Sequence, residues 1–279
     1  MANTNDLTRS TTRIKNTKAN GDAFTGTGFF WRFSDVHMDY WVVTNRHVVA
    51  GHKDLSLNLD VPPQAPPNEN VKFVSMTVAN PTVIEHPNPE IDLAAIWLPP
   101  YIEAINKQIG AEPQAAFLGT HSIATASFMD DLSPVEPVLM VGYPNGLLDE
   151  ANNKPIVRRG ITASAAYIDY NGKPEFLIDC ACYPGSSGSP VFIRRDNPWV
   201  SRKTGLINMG NPPMALAGVL YSGPTISQQG KITQPNSNGP DSTFNLNGMM
   251  NLGNCIRATE IEAMAPLAQV VLKTKIITP

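Results

Sequence analysis

The chain is divided into short apolar runs that leave little room for long helices. Gly28–Phe33, Tyr40–Thr44, Leu55–Leu59, Val71–Val78 and Leu93–Leu98 are each rich in β-branched or aromatic residues. Pro137–Gly142, Ile156–Ala166, Glu175–Cys180, Ser189–Ile193, Met214–Tyr221 and Asn251–Ile256 repeat the pattern further on. Turn residues bound every run, and the 25 Pro and 20 Gly among 279 residues supply that punctuation. Such spacing predicts an all-β protein whose core is assembled from many short strands.

Between the two groups of runs, residues 99–133 lack periodicity apart from Tyr101–Ile109, which fits a helical turn or two. They read as a connector. Residues 1–20 are rich in Thr, Asn and Lys and read as a loose arm. Ser222–Asn251, rich in Gly, Ser, Asn, Gln and Pro, reads as a long loop. Near the end Ile261, Met264, Leu267 and Val271 recur at helical spacing, with Pro266 set to kink or split that helix. The expected organisation is therefore an arm (1–20), a first β unit (21–125), a second (126–257), and a C-terminal helix and tail (258–279).

A net charge of −3 does not fit a nucleic-acid binder, which is usually basic. No run reaches the 18 apolar residues of a membrane span, and the first residues lack the apolar segment of a secretion signal. Cys180, Cys182 and Cys255 make a poor disulfide framework, because the first two lie along one extended segment. Free thiols and a cytoplasmic location are the expectation.

Three segments carry chemistry. In Tyr183-Pro184-Gly185-Ser186-Ser187-Gly188-Ser189-Pro190, Gly185 lets the backbone turn an N–H toward a reacting carbonyl. The N–H of Ser187 is a second donor, and Gly188 leaves room for substrate and base. The same composition also makes an ordinary surface turn. In Trp41-Val42-Val43-Thr44-Asn45-Arg46-His47-Val48-Val49, a His follows the end of an apolar strand and is held by apolar runs on both sides. His37, His52 and His86 sit among turn residues and are expected in solvent, and His121 lies in the connector. In Glu90-Ile91-Asp92-Leu93-Ala94-Ala95-Ile96, an Asp stands at the mouth of an apolar strand, where burial needs a partner. It also reads as a residue that merely starts a strand. Glu85, Asp130 and Asp131 lack such a strand. Together the three place a base (His47) and its orienting carboxylate (Asp92) in the first half and a nucleophile (Ser187) in the second. The order His…Asp…Ser is one of those known to build a triad.

These segments, with Gly26-Thr27-Gly28-Phe29-Phe30 and Val138-Leu139-Met140-Val141-Gly142-Tyr143-Pro144, resemble the trypsin-like serine peptidases of the HtrA (high-temperature requirement) branch. The resemblance runs in order from about residue 26 to 260. It implies the chymotrypsin-like double barrel: two six-stranded antiparallel β-barrels with a C-terminal helix, and the triad between them. It implies a serine endopeptidase that acts on a protein or peptide substrate without metal or other cofactor. Gly185 and Ser187 would form the oxyanion hole. Ala181, matching the base of the primary pocket, is not acidic, so an apolar or small side chain is expected before the scissile bond. Tyr221, Ser222 and Gly223 would pair with the substrate backbone. Ser189 stands where the family usually has Gly, no PDZ domain is expected, and Ser186 occupies the place of the Asp that pairs with a new N-terminus in secreted relatives. Three rivals remain: a latent protease whose oxyanion loop a regulatory protein partner or a ligand must order, a non-catalytic peptide-binding or chaperone-like module, and an esterase using the same triad.

Overall fold

The computed structural model describes residues 7–18, 21–62, 72–210, 213–232 and 242–277. The first half is one sheet of eight strands: β1 (Thr11–Lys18), β2 (Ala23–Arg32), β3 (Trp41–Thr44), β4 (His52–Asp60), β5 (Phe73–Ala79), β6 (Val83–Glu85), β7 (Ala94–Trp97) and β8 (Leu118–Gly119). Their order is β5-β4-β1-β2-β3-β7-β6, with β8 running parallel to β2. The second half is a closed barrel of β9 (Pro137–Gly142), β10 (Ile156–Thr162), β11 (Glu175–Asp179), β12 (Pro190–Arg194), β15 (Met214–Ser222) and β18 (Leu252–Arg257). The short pair β13 (Trp199–Val200) and β14 (Ile207–Asn208) and the hairpin β16 (Thr225–Ile232) and β17 (Ser242–Met249) lie outside it.

Every apolar run read from the sequence forms a strand, within a few residues at each end. The expectation of two closed barrels holds for the second half only. The first sheet ends on β5 and β6, which do not pair with each other. Helix α2 (Pro99–Ile109) packs against β5 instead, burying Tyr101 and Ile105. It follows the four-residue helix α1 (Arg46–Val49) in the chain. Prolines at the start of α2 suit its first turn, where their missing N–H groups cost nothing.

The arm expected over residues 1–20 is corrected where it is described. β1 joins the sheet, pairing β2 from Thr11↔Phe29 to Thr17↔Ala23 and β4 from Ile14↔Leu57 onward. Two of its polar residues, Thr12 and Asn16, are buried and hydrogen-bonded. Thr12 Oγ1 donates to Asn58 O at 2.7 Å and Asn16 Nδ2 to Val48 O at 2.8 Å. The rest of that segment, 1–6 and 19–20, lies outside the described residues.

The long loop expected over Ser222–Asn251 is instead mostly the β16–β17 hairpin, in register from Thr225↔Met249 to Ile232↔Ser242. Residues 233–241 of that expected loop are not described. Ile226, Phe244 and Leu246 on the hairpin are exposed, so no apolar alternation facing a core marks it in the sequence. At the end, a 3₁₀ segment (Ala258–Met264) leads into the C-terminal helix (Ala265–Ile277). Pro266 falls in that helix's first turn and so splits rather than kinks the periodic run. Among the described residues no helix is long and apolar enough to cross a membrane.

One apolar cluster joins the halves. Phe29, Trp31, Trp41 and Leu93 from the first sheet pack with Val141, Phe192, Leu216, Val219 and Ile256 from the barrel. This shared core fixes the sheet against the barrel, so a site assembled from both can hold its geometry.

Candidate active site

His47 sits in α1, directly after the fully buried β3. Val48 and Val49 are buried behind it, as the flanking apolar run implies. Asp92 lies between buried Ile91 and Leu93 just ahead of β7. The structure brings the two together twice: the His47 backbone N–H donates to Asp92 Oδ1 at 3.0 Å, and Nδ1 faces Oδ2 at 2.5 Å. Asn45 Nδ2 also donates to the Asp92 carbonyl at 2.8 Å. A carboxylate accepts only, so Nδ1 must carry the ring proton and a neutral imidazole leaves Nε2 as a free base. The other histidines stand elsewhere. His86 is buried rather than solvated, because Leu93 and Asn88 hold its segment and Glu260 lies 3.6 Å from its Nε2. His37 and His121 are exposed and His52 bonds to Val49 O.

Ser187 lies in the loop between β11 and β12, and the first sheet grips this loop. Thr27 N donates to Ser187 O at 2.8 Å, and Thr27 Oγ1 donates to Gly185 O at 2.9 Å. Gly188 backs directly onto that sheet: a Cβ there would lie 2.0 Å from Thr27 O and 2.5 Å from Thr44 Oγ1. Gly188 therefore makes room for backbone of the first sheet, a different reason from the space for substrate and base expected from sequence. Ser187 Oγ donates to Tyr221 O at 3.4 Å and makes no hydrogen bond to the His47 ring.

The backbone N–H groups beside Ser187 are oriented by what their peptides' carbonyls do. In a trans peptide, C=O and N–H point in opposite directions. Pro184 O accepts from Asn145 N at 2.6 Å, so the Gly185 N–H is aimed away from Asn145. Ser186 O accepts from Ser189 N at 3.0 Å, so the Ser187 N–H is likewise aimed outward. Neither N–H makes a hydrogen bond to any described residue. Gly185 has φ +83°, a left-handed conformation that glycine adopts without steric cost.

Of the residues expected to bind substrate, Tyr221 is the one tied directly to Ser187. Its phenol donates to Glu175 Oε2 at 2.9 Å, and burial together with that carboxylate pushes its pKa up to about 12. Ser222 Oγ accepts from Asn254 Nδ2 at 2.9 Å. Gly223 lies against Leu252 O, which a Cβ would approach to 2.6 Å. Ala181 is half-buried, and its carbonyl accepts from Arg158 Nη1 at 2.5 Å. The three cysteines are free and buried. Burial raises the Cys182 thiol to about 12, which leaves it protonated and unreactive at neutral pH. Among the described residues no group of three His, Cys, Asp or Glu could hold a metal ion.

Sequence reading missed Thr27, Asn145 and Arg158. Thr27 had a signal, a hydroxyl between Gly26 and Gly28 on an apolar strand. Asn145 acts through its backbone N–H, which no residue type marks. Arg158 is a charge at an inward position of β10, visible only once the strand's facing is known.

Residues 26–200 match the family described as the trypsin-like peptidase domain. Glutamyl endopeptidase of Staphylococcus epidermidis is 28% identical over 151 residues, 54% of this chain and 46% of that protein. The chain thus spans about half the length of the curated relatives it matches. Among solved structures, the HtrA-type protease AlgW with tripeptide is 15% identical, covering 97% of this chain and 61% of that chain at a TM-score of 0.47. The active form of the Rv3671c protease from M. tuberculosis is 16% identical, covering 91% and 78% at a TM-score of 0.46. The family match takes in well over half of the sequence, including the segments of His47, Asp92 and Ser187, and the chain belongs to the trypsin-like peptidase domain family.

Proposed function

We propose that this chain is a serine endopeptidase that cleaves protein or peptide substrates through an acyl-enzyme. The observation that carries the reading is the pair of outward, unbonded N–H groups at Gly185 and Ser187, fixed by the carbonyls of Pro184 and Ser186. Two such donors suit a tetrahedral oxyanion. Ser187 Oγ leaves Tyr221 O and attacks the carbonyl carbon as His47 Nε2 takes its proton. Asp92 holds the Nδ1–H tautomer and stabilises the imidazolium. His47 then protonates the leaving amine, the C–N bond breaks, and an acyl ester remains on Ser187. Water, deprotonated by His47, attacks the ester, and collapse of the second tetrahedral intermediate returns the proton to Ser187.

For the residue before the scissile bond, an acidic side chain fits better than the apolar or small one expected from Ala181. Arg158 donates to the carbonyl of Ala181, and the ionisable groups that act on it include no carboxylate, so its positive charge is left to act on the substrate through space rather than by contact. Similarity to proteins named glutamyl endopeptidase supports the same choice.

The test is labelling by a small fluorophosphonate, which acylates activated serines, on the wild type and Ser187→Ala. Labelling of the wild type alone supports the peptidase, and peptides differing only in Glu against Gln at that position then read the preference. Removing Ser187 should cost on the order of 10⁶ in kcat. No labelling of folded wild type would discard the autonomous enzyme in favour of a latent protease or a binding module. Equal cleavage after Glu and Gln would discard the acidic preference.

A further inference from the structure

β10 alternates cleanly. Val157 and Ile161 are exposed, and Arg159 between them pairs with Asp196 at 2.5 Å in solvent. Ile156, Arg158, Gly160 and Thr162 take the inner side, where Gly160 lies so close to the next strand that a Cβ would meet Asp179 O at 2.2 Å. One position in four on that inner face therefore carries a full charge.

The guanidinium lies beneath the turn that precedes Ser187. A single nitrogen, Nη1, donates both to Ala181 O at 2.5 Å and to Ser186 Oγ at 3.0 Å. Ser186 is itself fully buried, and its hydroxyl accepts from Tyr183 N at 3.4 Å. One donor thus ties together the two ends of segment 181–186. Meanwhile Nε and Nη2 are sealed from solvent and have no hydrogen-bond partner among the described residues. The ionisable groups that act on it are Cys180, Cys182 and Tyr183, none of them a carboxylate. A buried cation with orphaned donors works against folding, so the group is best explained by what it holds.

We infer that Arg158 is a positioning residue that locks the oxyanion loop in its working conformation from inside the barrel. Its sealed nitrogens cannot reach a substrate. It acts through Ala181 O and Ser186 Oγ, and so holds the segment that carries the Pro184–Gly185 and Ser186–Ser187 peptides. The inference deepens the peptidase reading and rests on it for the catalytic consequence, although the bracing of the loop does not depend on it.

The experiment compares wild type with Arg158→Met, which keeps bulk and removes the charge, and with Arg158→Lys, which restores one cationic donor. Three readouts are taken: thermal midpoint, hydrogen exchange of the amides of residues 181–188, and the second-order rate of fluorophosphonate labelling. The probe has no acidic side chain, so an Arg158 that merely attracts substrate would leave labelling unchanged. For Arg158→Met the expected result is a midpoint equal to or above wild type. Exchange in 181–188 should be at least tenfold faster than wild type, with other barrel strands unchanged. Labelling should be ten- to hundredfold slower, partly recovered by Arg158→Lys. Wild-type exchange in Arg158→Met overturns the inference. So does loss of labelling that only tracks a lowered midpoint and is not recovered by Lys. Should Arg158→Met fail to fold, Arg158→Lys decides alone: a near-wild-type midpoint with exchange at 181–188 no more than a few-fold faster is expected, and exchange there tenfold faster or more in that folded variant overturns the clamp. If the wild type itself does not label while the exchange difference appears, the brace stands and the peptidase reading falls.

Discussion

Gly185→Ala is the substitution for which the structure gives the sharpest arithmetic. At φ +83° an L-residue carries a left-handed penalty of about 1–2 kcal/mol. The added Cβ would also lie 2.6 Å from Tyr143 O and 3.1–3.2 Å from Asn145 N and Gly146 N. Tyr143 O cannot yield freely, because it accepts from Gly146 N at 2.9 Å. The cheapest relief is rotation of the Pro184–Gly185 peptide, which breaks the 2.6 Å bond from Asn145 N to Pro184 O. That rotation carries the Gly185 N–H away from the oxyanion position. Losing one such donor costs about 10²–10³ in kcat. We therefore expect a stability loss of about 1–3 kcal/mol, a 10²–10³-fold fall in kcat, and a KM within a few-fold of wild type. Denaturant melts, steady-state kinetics and the rate of fluorophosphonate acylation measure the three separately. A folded Gly185→Ala protein that acylates at the wild-type rate would refute the assignment of this N–H.

Two further outcomes concern the charge cluster around Arg195. Arg195, 3% exposed, pairs with Asp131 at 2.8 Å and Glu136 at 3.2 Å and lies 4.5 Å from the Trp199 ring. Arg195→Ala leaves two carboxylates without their cation and should cost about 3–5 kcal/mol in denaturant melts, with a loss below 1 kcal/mol counting against the reasoning. For Asp131, burial works against ionisation, but bonds from the Lys203 N–H, Ser201 and Arg195 prevail and bring its pKa to about 2. The folded value lies below the unfolded one of about 3.9, so its contribution is present above about pH 4 and is lost as pH falls through 2. Melts across that range should show a steeper acid loss in wild type than in Asp131→Asn, and identical slopes would contradict the assignment.

The residues proposed to perform chemistry could be read from the sequence because each is pinned by apolar neighbours. Trp41–Thr44 and Val48-Val49 bracket His47, and Ile91 and Leu93 bracket Asp92; all eight are buried. Burial of the flanks leaves the polar residue between them little freedom, and that constraint is written in one dimension. β1 was not legible for the opposite reason. Its inward residues include Thr12 and Asn16, whose polarity suggests solvent, and their partners, Asn58 and Val48, lie more than thirty residues away. Composition records polarity but not whether a distant acceptor satisfies it. The β16–β17 hairpin escaped because its apolar residues face outward and so carry no core-directed alternation.

The same distinction runs through the site. The groups that would react are side chains of characteristic type, whereas the groups that aim them are mainly backbone. Thr27 N, Asn145 N, Pro184 O and Ser186 O set the loop, and none requires a particular residue. Side chains that aim the loop are identifiable only by facing. Arg158 and Arg159 are adjacent and chemically identical, yet one sits in solvent with Asp196 and the other clamps Ala181 and Ser186. Which of the two faces inward is decided by the pairing of β10 with β9, Arg158 opposite Met140 and Arg159 opposite Leu139. A one-residue slip would exchange their roles. Strand register, rather than residue type, is thus what turns one of two neighbouring arginines into a support for the candidate active site.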